Sequence, residues 1–322
     1  MKDLPVRTLI AVLLIGLLCL VAWFGGWVQA AVLGLFTVAA VYEMFTIFVK
    51  RGIRPAVLPQ ILLGGSMFAV MYKFGARFIL PLAAAAFVAI MVERILNARR
   101  TNEDLIASLA LLVYPVSLLA CFGLVGFGRN DISRAAFLCI FAGPCMADNT
   151  AYMVGSLFGK HKLCPYISPN KTVEGAVSGV VGGALGGGIV YFAQKLWGLD
   201  VSLVTLIAVC FIAGIVGQFG DLLASTFKRW AGVKDYSNLF PGHGGVMDRL
   251  DSAMVAANRC GRICIFHLIC IKRMPNSRSA DCRSPLQRRL VRSVVVYGFF
   301  HWAQLRIRQL AEKLLVVRRI NK

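Results

Sequence analysis

The stretch Val201-Ser202-Leu203-Val204-Thr205-Leu206-Ile207-Ala208-Val209-Cys210-Phe211-Ile212-Ala213-Gly214-Ile215-Val216-Gly217-Gln218-Phe219-Gly220-Asp221 carries no charge until its last residue. As a helix it is about 30 Å long, the thickness of a bilayer's hydrocarbon core. It therefore reads as a transmembrane helix, and the carboxylate that closes it marks the end where chemistry gathers. An acidic side chain at the bilayer centre costs ~2.5–3.5 kcal/mol on insertion scales, so Asp221 is expected to face a cavity, a cation or a partner.

Working outward, similar apolar blocks occupy residues 8–25, 27–49, 56–72, 76–93, 105–127, 135–158 and 176–194. The whole chain is 58% hydrophobic with a mean hydropathy of +0.72, well above the apolar content of soluble domains. The expected fold class is an all-α polytopic membrane protein, with eight to nine transmembrane helices and a polar active-site cavity facing the cytoplasm. Residues 1–130 read as N-terminal transmembrane helices, 131–257 as a catalytic transmembrane region with cytoplasmic loops, and 258–322 as an atypical basic tail.

Lys2 and Arg7 precede the first apolar block, and Val28-Gln29-Ala30 resembles a leader-cleavage site. A second apolar block follows Gly25-Gly26 at once, which favours an uncleaved hairpin of two spans. With the N-terminus inside, the loops bearing Lys50, Arg51, Arg54, Arg94, Arg99, Arg100, Lys160, Lys162, Lys171, Lys228, Arg229, Lys234 and Arg249 face the cytoplasm. The outer loops keep only Lys73, Arg77, Arg129, Arg134 and Lys195, in keeping with the positive-inside rule. The formal charge of +20 thus reads as membrane topology, and no nucleic acid is expected. The ten cysteines form no Cys-x-x-Cys pair, and Cys19, Cys139, Cys145 and Cys210 sit inside apolar blocks, where they read as small buried hydrophobes.

Gly179, Gly182, Gly183, Gly186, Gly187 and Gly188 enrich the seventh block, a pattern that favours close helix packing. Gly155 and Gly159-Lys160 imitate a phosphate loop but miss its spacing, and His161 stands where a magnesium-binding hydroxyl belongs.

Polar residues concentrate near the ends of the later blocks. Asp148 lies within the sixth. A helix continuing past Asp221 places Ser225 and Lys228 at i+4 and i+7, so carboxylate, hydroxyl and ammonium share a face. Asp248 and Asp251, at i and i+3, would stand side by side on a short helix after Gly244-Gly245, with Arg249 adjacent. Carboxylates without a Cys and His set suit magnesium better than zinc. Between them, Lys228-Arg229, Lys234-Asp235 and Pro241-Gly242-His243-Gly244-Gly245 mix cations with approachable backbone amides, which suits a polyanion. Upstream, Ser168-Pro169-Asn170-Lys171-Thr172 repeats the theme. Thr172 reads as a helix cap, Glu174 as its favourable first-turn charge, and Lys171 as a phosphate-binding cation at the helix start.

Ser225-Thr226-Phe227-Lys228-Arg229, Lys234-Asp235 and Pro241-Gly242-His243-Gly244-Gly245-Val246-Met247-Asp248-Arg249-Leu250-Asp251 together resemble the signature of phosphatidate cytidylyltransferases. The resemblance extends upstream through residues 148–162 and 167–175. It implies transfer of CMP from CTP to phosphatidate, giving CDP-diacylglycerol and pyrophosphate. It also implies magnesium, with room for a second cation, and a homodimer among membrane lipids in a bacterial inner membrane, with its active site facing the cytoplasm. Carried over residue by residue, the metal ligands are Asp221, Asp248 and Asp148. The catalytic set is Lys228, Arg229, Asp248 and Asp251. Asn170, Lys171, Ser225, Lys234, His243 and Arg249 bind substrate. Two rivals share parts of the pattern: a CTP-dependent lipid alcohol kinase, and a cation-coupled transporter built on Asp148 and Asp221.

Residues 252–322 hold 15 Lys and Arg against 2 Asp and Glu, and no long apolar run. The family's next transmembrane helix is expected there and is not legible after about Ala257. The tail reads as a frameshift or fusion, or alternatively as a polybasic extension for anionic lipid.

Overall fold

The computed structural model describes residues 4–127, 131–196, 198–199, 201–242 and 244–258. In order these form α1 (Leu4–Phe24), α2 (Gly26–Lys50), α3 (Leu58–Phe74), α4 (Ile79–Leu96), α5 (Asn102–Leu111), α6 (Leu118–Gly126) and α7 (Asp131–Phe158). A small hairpin, β1 (Lys162–Cys164) and β2 (Ser168–Thr172), precedes α8 (Val173–Leu196) and α9 (Leu203–Trp230). Residues 247–258 form α10. Each expected span overlaps a helix. The basic segment after α7, read from sequence as a loop, is instead an antiparallel hairpin pairing Lys162 with Thr172.

Among the described residues, five helical stretches are long and apolar enough to cross a membrane: Gly26–Lys50, Ala76–Leu96, Asn102–Gly126, Val173–Leu196 and Leu203–Trp230. Thr8–Phe24 is a shorter apolar helix. The chain is an all-α membrane protein whose helices bury little of their outer surface. Leu80, Leu185 and Val204, for example, are more than half exposed, as lipid-facing side chains are. Cys139 and Cys210 are buried as expected, whereas Cys19 and Cys145 lie on exposed faces. A thiol is apolar enough to face lipid as readily as a core.

Local chemistry sets the boundaries. Gly25 and Gly26 both adopt positive φ, which reverses the chain between α1 and α2 at no Cβ cost. Thr101 and Asp104 cap α5 reciprocally, and the other oxygen of Asp104 accepts from the Arg54 amide at 2.6 Å. Between α5 and α6 the helix widens over Leu112–Ser117, where Pro115 has no amide to donate and Tyr114 is extended. The widening leaves Tyr114 buried and stacked on Phe227 of α9, ring centroids 5.0 Å apart. The N-terminal helices thereby touch the element that carries Asp221.

The glycines of α8 let three helices approach backbone to backbone. A Cβ on Gly186 would stand 2.7 Å from the Ala142 carbonyl of α7, and one on Gly183 would stand 3.1 Å from Cα of Gly214 on α9. The α7–α8–α9 unit is the frame on which the polar residues are hung.

Candidate active site

Because α9 continues to Trp230, Asp221, Ser225 and Lys228 share one face as their spacing predicts. Ser225 Oγ is 3.5 Å from Asp221 Oδ1. Lys171, the last but one residue of β2, pairs its ammonium with Asp221 Oδ2. Lys228 does not turn back to Asp221; it crosses to α10 and donates to Asp248 Oδ1 at 2.8 Å. The two pairs differ in burial. Lys171 and Asp221 side chains are 26% and 25% exposed, those of Lys228 and Asp248 only 11% and 4%, so the first pair is the more open to exchange with a ligand.

Asp248 also organises the loop before it. Its Oδ2 accepts from Tyr236 N at 2.9 Å and from Gly245 N at 3.0 Å, tying the loop's start to its end. Gly244 has φ near +77°, and a Cβ there would press on the Asp248 carboxylate. Burial pushes the Tyr236 phenol up, so it remains protonated and donates to the Ala224 carbonyl at 3.1 Å. Sequence reasoning missed a second organiser, Glu43 of α2. Its carboxylate accepts from Val246 N, Met247 N and Ser237 Oγ at 2.9, 2.8 and 2.6 Å. The signal was present, since an acid inside the apolar block 27–49 is costly unless it has partners.

Asp148 and Asp251 lie beside these pairs, within the field of Lys171 and Lys228 respectively. Ser252 Oγ bridges them, 3.3 Å from Asp148 Oδ2 and 3.2 Å from Asp251 Oδ1. The backbone of Gly220 abuts that of Asp251 and Ser252, which brings Asp221 against α10. Burial first, and then the charge of Asp221, raise the Asp251 carboxyl above the usual range. The charges of Lys171, Asp221 and Arg249 all act on Asp148, and those of Asp251, Asp221 and Asp248 all act on Tyr114. Four carboxylates therefore gather where α7, α9 and the first turns of α10 meet.

Among the described residues no three His, Cys, Asp or Glu side chains converge into a ready-made metal cage. Carboxylate oxygens are the donors that a hard divalent cation takes. The two lysine ammoniums occupy positions beside Asp221 and Asp248 that such a cation would share, and the donors are all oxygens.

Of the remaining expected site residues, Asn170, Lys234 and Arg249 are exposed. Arg229 is partly committed: its guanidinium donates to the carbonyls of Ile167 at 3.1 Å and Val233 at 3.3 Å, fastening the hairpin to the end of α9. Thr172 caps α8 by accepting from Gly175 N at 3.1 Å. Glu174 does more than favour the helix start, because it accepts from the Lys160 and His161 amides and meets His161 Nδ1 at 2.6 Å. His243 and the basic tail from residue 259 onward lie outside the described residues.

The model of the cytidylyltransferase family matches residues 5–265. Curated relatives include phosphatidate cytidylyltransferases of Staphylococcus haemolyticus, 43% identical over 119 residues, and Staphylococcus saprophyticus, 45% identical over 120. That of Staphylococcus aureus is 41% identical over 120 residues. Each alignment covers 37% of this chain and 43% of the relative, so the chain spans less than half the length of the curated relatives it matches.

Proposed function

The chain belongs to the cytidylyltransferase family, and from that premise we propose that it transfers CMP from CTP to phosphatidate, releasing pyrophosphate and forming CDP-diacylglycerol. The observation that carries the reading is the pairing of Lys171 with Asp221 and of Lys228 with Asp248 where β2, α9 and α10 meet. Such an array suits two polyanions that must be brought together.

A phosphatidate oxygen attacks the α-phosphorus of CTP; the new P–O bond forms as the bond to the bridging oxygen breaks, and pyrophosphate departs. The attacking oxygen is already anionic at neutral pH, so the site needs no strong base. Its work is positioning and charge neutralisation. We assign phosphate binding to half-buried Lys171 and to the exposed Asn170, Lys234 and Arg249, with Ser225 beside Asp221. Lys228 and Arg229 hold the loop and the hairpin in register around them. Asp221 and Asp248 would hold magnesium, with Asp148 and Asp251 deepening the negative field and leaving room for a second cation. When bound, the metal screens the repulsion between the two substrates and stabilises the leaving pyrophosphate.

The basic loops favour a cytoplasmic orientation for this surface in a bacterial inner membrane. A homodimer surrounded by membrane lipids is the assembly we propose. Purified protein incubated with phosphatidate, magnesium and CTP labelled at the α- or the γ-phosphate tests the reaction. The α-label is expected in the lipid and the γ-label in pyrophosphate. A γ-label in the lipid with release of CDP would make the chain a lipid kinase instead.

A further inference from the structure

Glu43 lies in α2, seven residues before that helix ends, and is 4% exposed. Nothing in the chemistry of CMP transfer requires it. Its Oε2 accepts from Met247 N, its Oε1 from Val246 N, and the same Oε1 accepts from Ser237 Oγ. Ser237 Oγ in turn accepts from Leu239 N at 3.2 Å. The first two donors are amides at the start of α10, which have no carbonyl within that helix to bond to. A carboxylate there satisfies two of them at once and opposes the positive end of the helix dipole. A Cβ on Gly245 would collide with the Glu43 carboxylate, so the turn has the shape needed to admit it.

Asp248 closes the same loop from inside α10, and Glu43 closes it from outside. The geometry points to Glu43 as a positioning residue: through the first turn of α10 it fixes the direction in which Asp248 and Asp251 are presented. The N-terminal helices thereby become part of the active site without touching substrate. The kinetic half of this inference rests on the proposed CMP transfer; the structural half does not.

The test uses the full chain in lipid nanodiscs and the variants Glu43→Ala, Glu43→Gln and Ser237→Ala. Hydrogen exchange of the 244–250 segment, measured without substrate, should quicken about ten-fold or more in Glu43→Ala, the scale of one lost charged hydrogen bond. Glu43→Gln keeps the shape but turns an NH2 towards a backbone donor, so it should fall between wild type and Glu43→Ala; it also carries the test if Glu43→Ala fails to insert. Ser237→Ala should loosen residues 237–239 and leave 246–247 protected. With CTP and phosphatidate, kcat should fall at least about ten-fold in Glu43→Ala while the KM for CTP moves much less, as expected when oriented groups are lost and binding groups are kept. Unchanged exchange at 246–247 in both Glu43 variants overturns the latch. Faster exchange with wild-type kcat overturns the positioning role. A wild-type chain with no transferase activity, but with the exchange difference intact, would instead refute the proposed reaction and leave the latch standing.

Discussion

Lys228 of α9 donates to Asp248 of α10 across 2.8 Å, and the other oxygen of that carboxylate takes the amides of Tyr236 and Gly245. One side chain thus joins two helices and both ends of the loop between them. Asp248→Asn conserves volume but places an NH2 against either an ammonium or two amide donors. We expect turnover to fall by more than about 100-fold, as when a preorganised electrostatic contact is removed, with membrane insertion intact. Near-normal turnover in that variant would refute both the metal and the loop roles of Asp248.

The two lysines should separate cleanly. Lys228→Met leaves a buried carboxylate without its counter-charge and should cost about 3–5 kcal/mol in unfolding from detergent micelles. Lys171→Met acts on a more open pair and should cost about 1 kcal/mol or less. Its effect should appear in the KM for CTP instead. Equal stability losses in the two variants would contradict the difference in burial between the two pairs.

Chelation should abolish transfer without unfolding the protein. Asp221 and Asp248 each pair with a lysine, so helical circular dichroism and melting in detergent should change little on adding EDTA. Magnesium should restore activity. Loss of helix on chelation would mean that a metal holds the fold together, contrary to the ion pairs seen here.

Gly186→Val tests the frame. The added side chain meets the Ala142 backbone carbonyl, which cannot swing away as a flexible side chain can. Overpacking of this kind costs about 1–3 kcal/mol, read as a lower melting temperature in detergent. Gly188, with open space around its Cβ position, should tolerate alanine.

The apolar runs made the helices legible because bilayer thickness fixes their length, and the run ending on Asp221 located the site. Helical spacing also placed Ser225 on the Asp221 face. What spacing could not reveal was the partner of each charge. Lys228 shares a face with Asp221 yet bonds Asp248, because the chain reverses between Trp230 and residue 247 and brings α10 alongside α9. Glu43 went unread for a similar reason: its donors lie 194 to 204 residues away, a separation no local pattern encodes. Ser252, which bonds Asp148 from 104 residues away, was hidden in the same way.

The most direct test of the central claim is a structure of the protein with CTP and manganese in place of magnesium, the metal located by its anomalous signal. Manganese is expected at bonding distance, roughly 2.1 Å, from carboxylate oxygens of Asp221 and Asp248 and from a CTP phosphate oxygen. Manganese bound to CTP with neither carboxylate in its coordination sphere would contradict it.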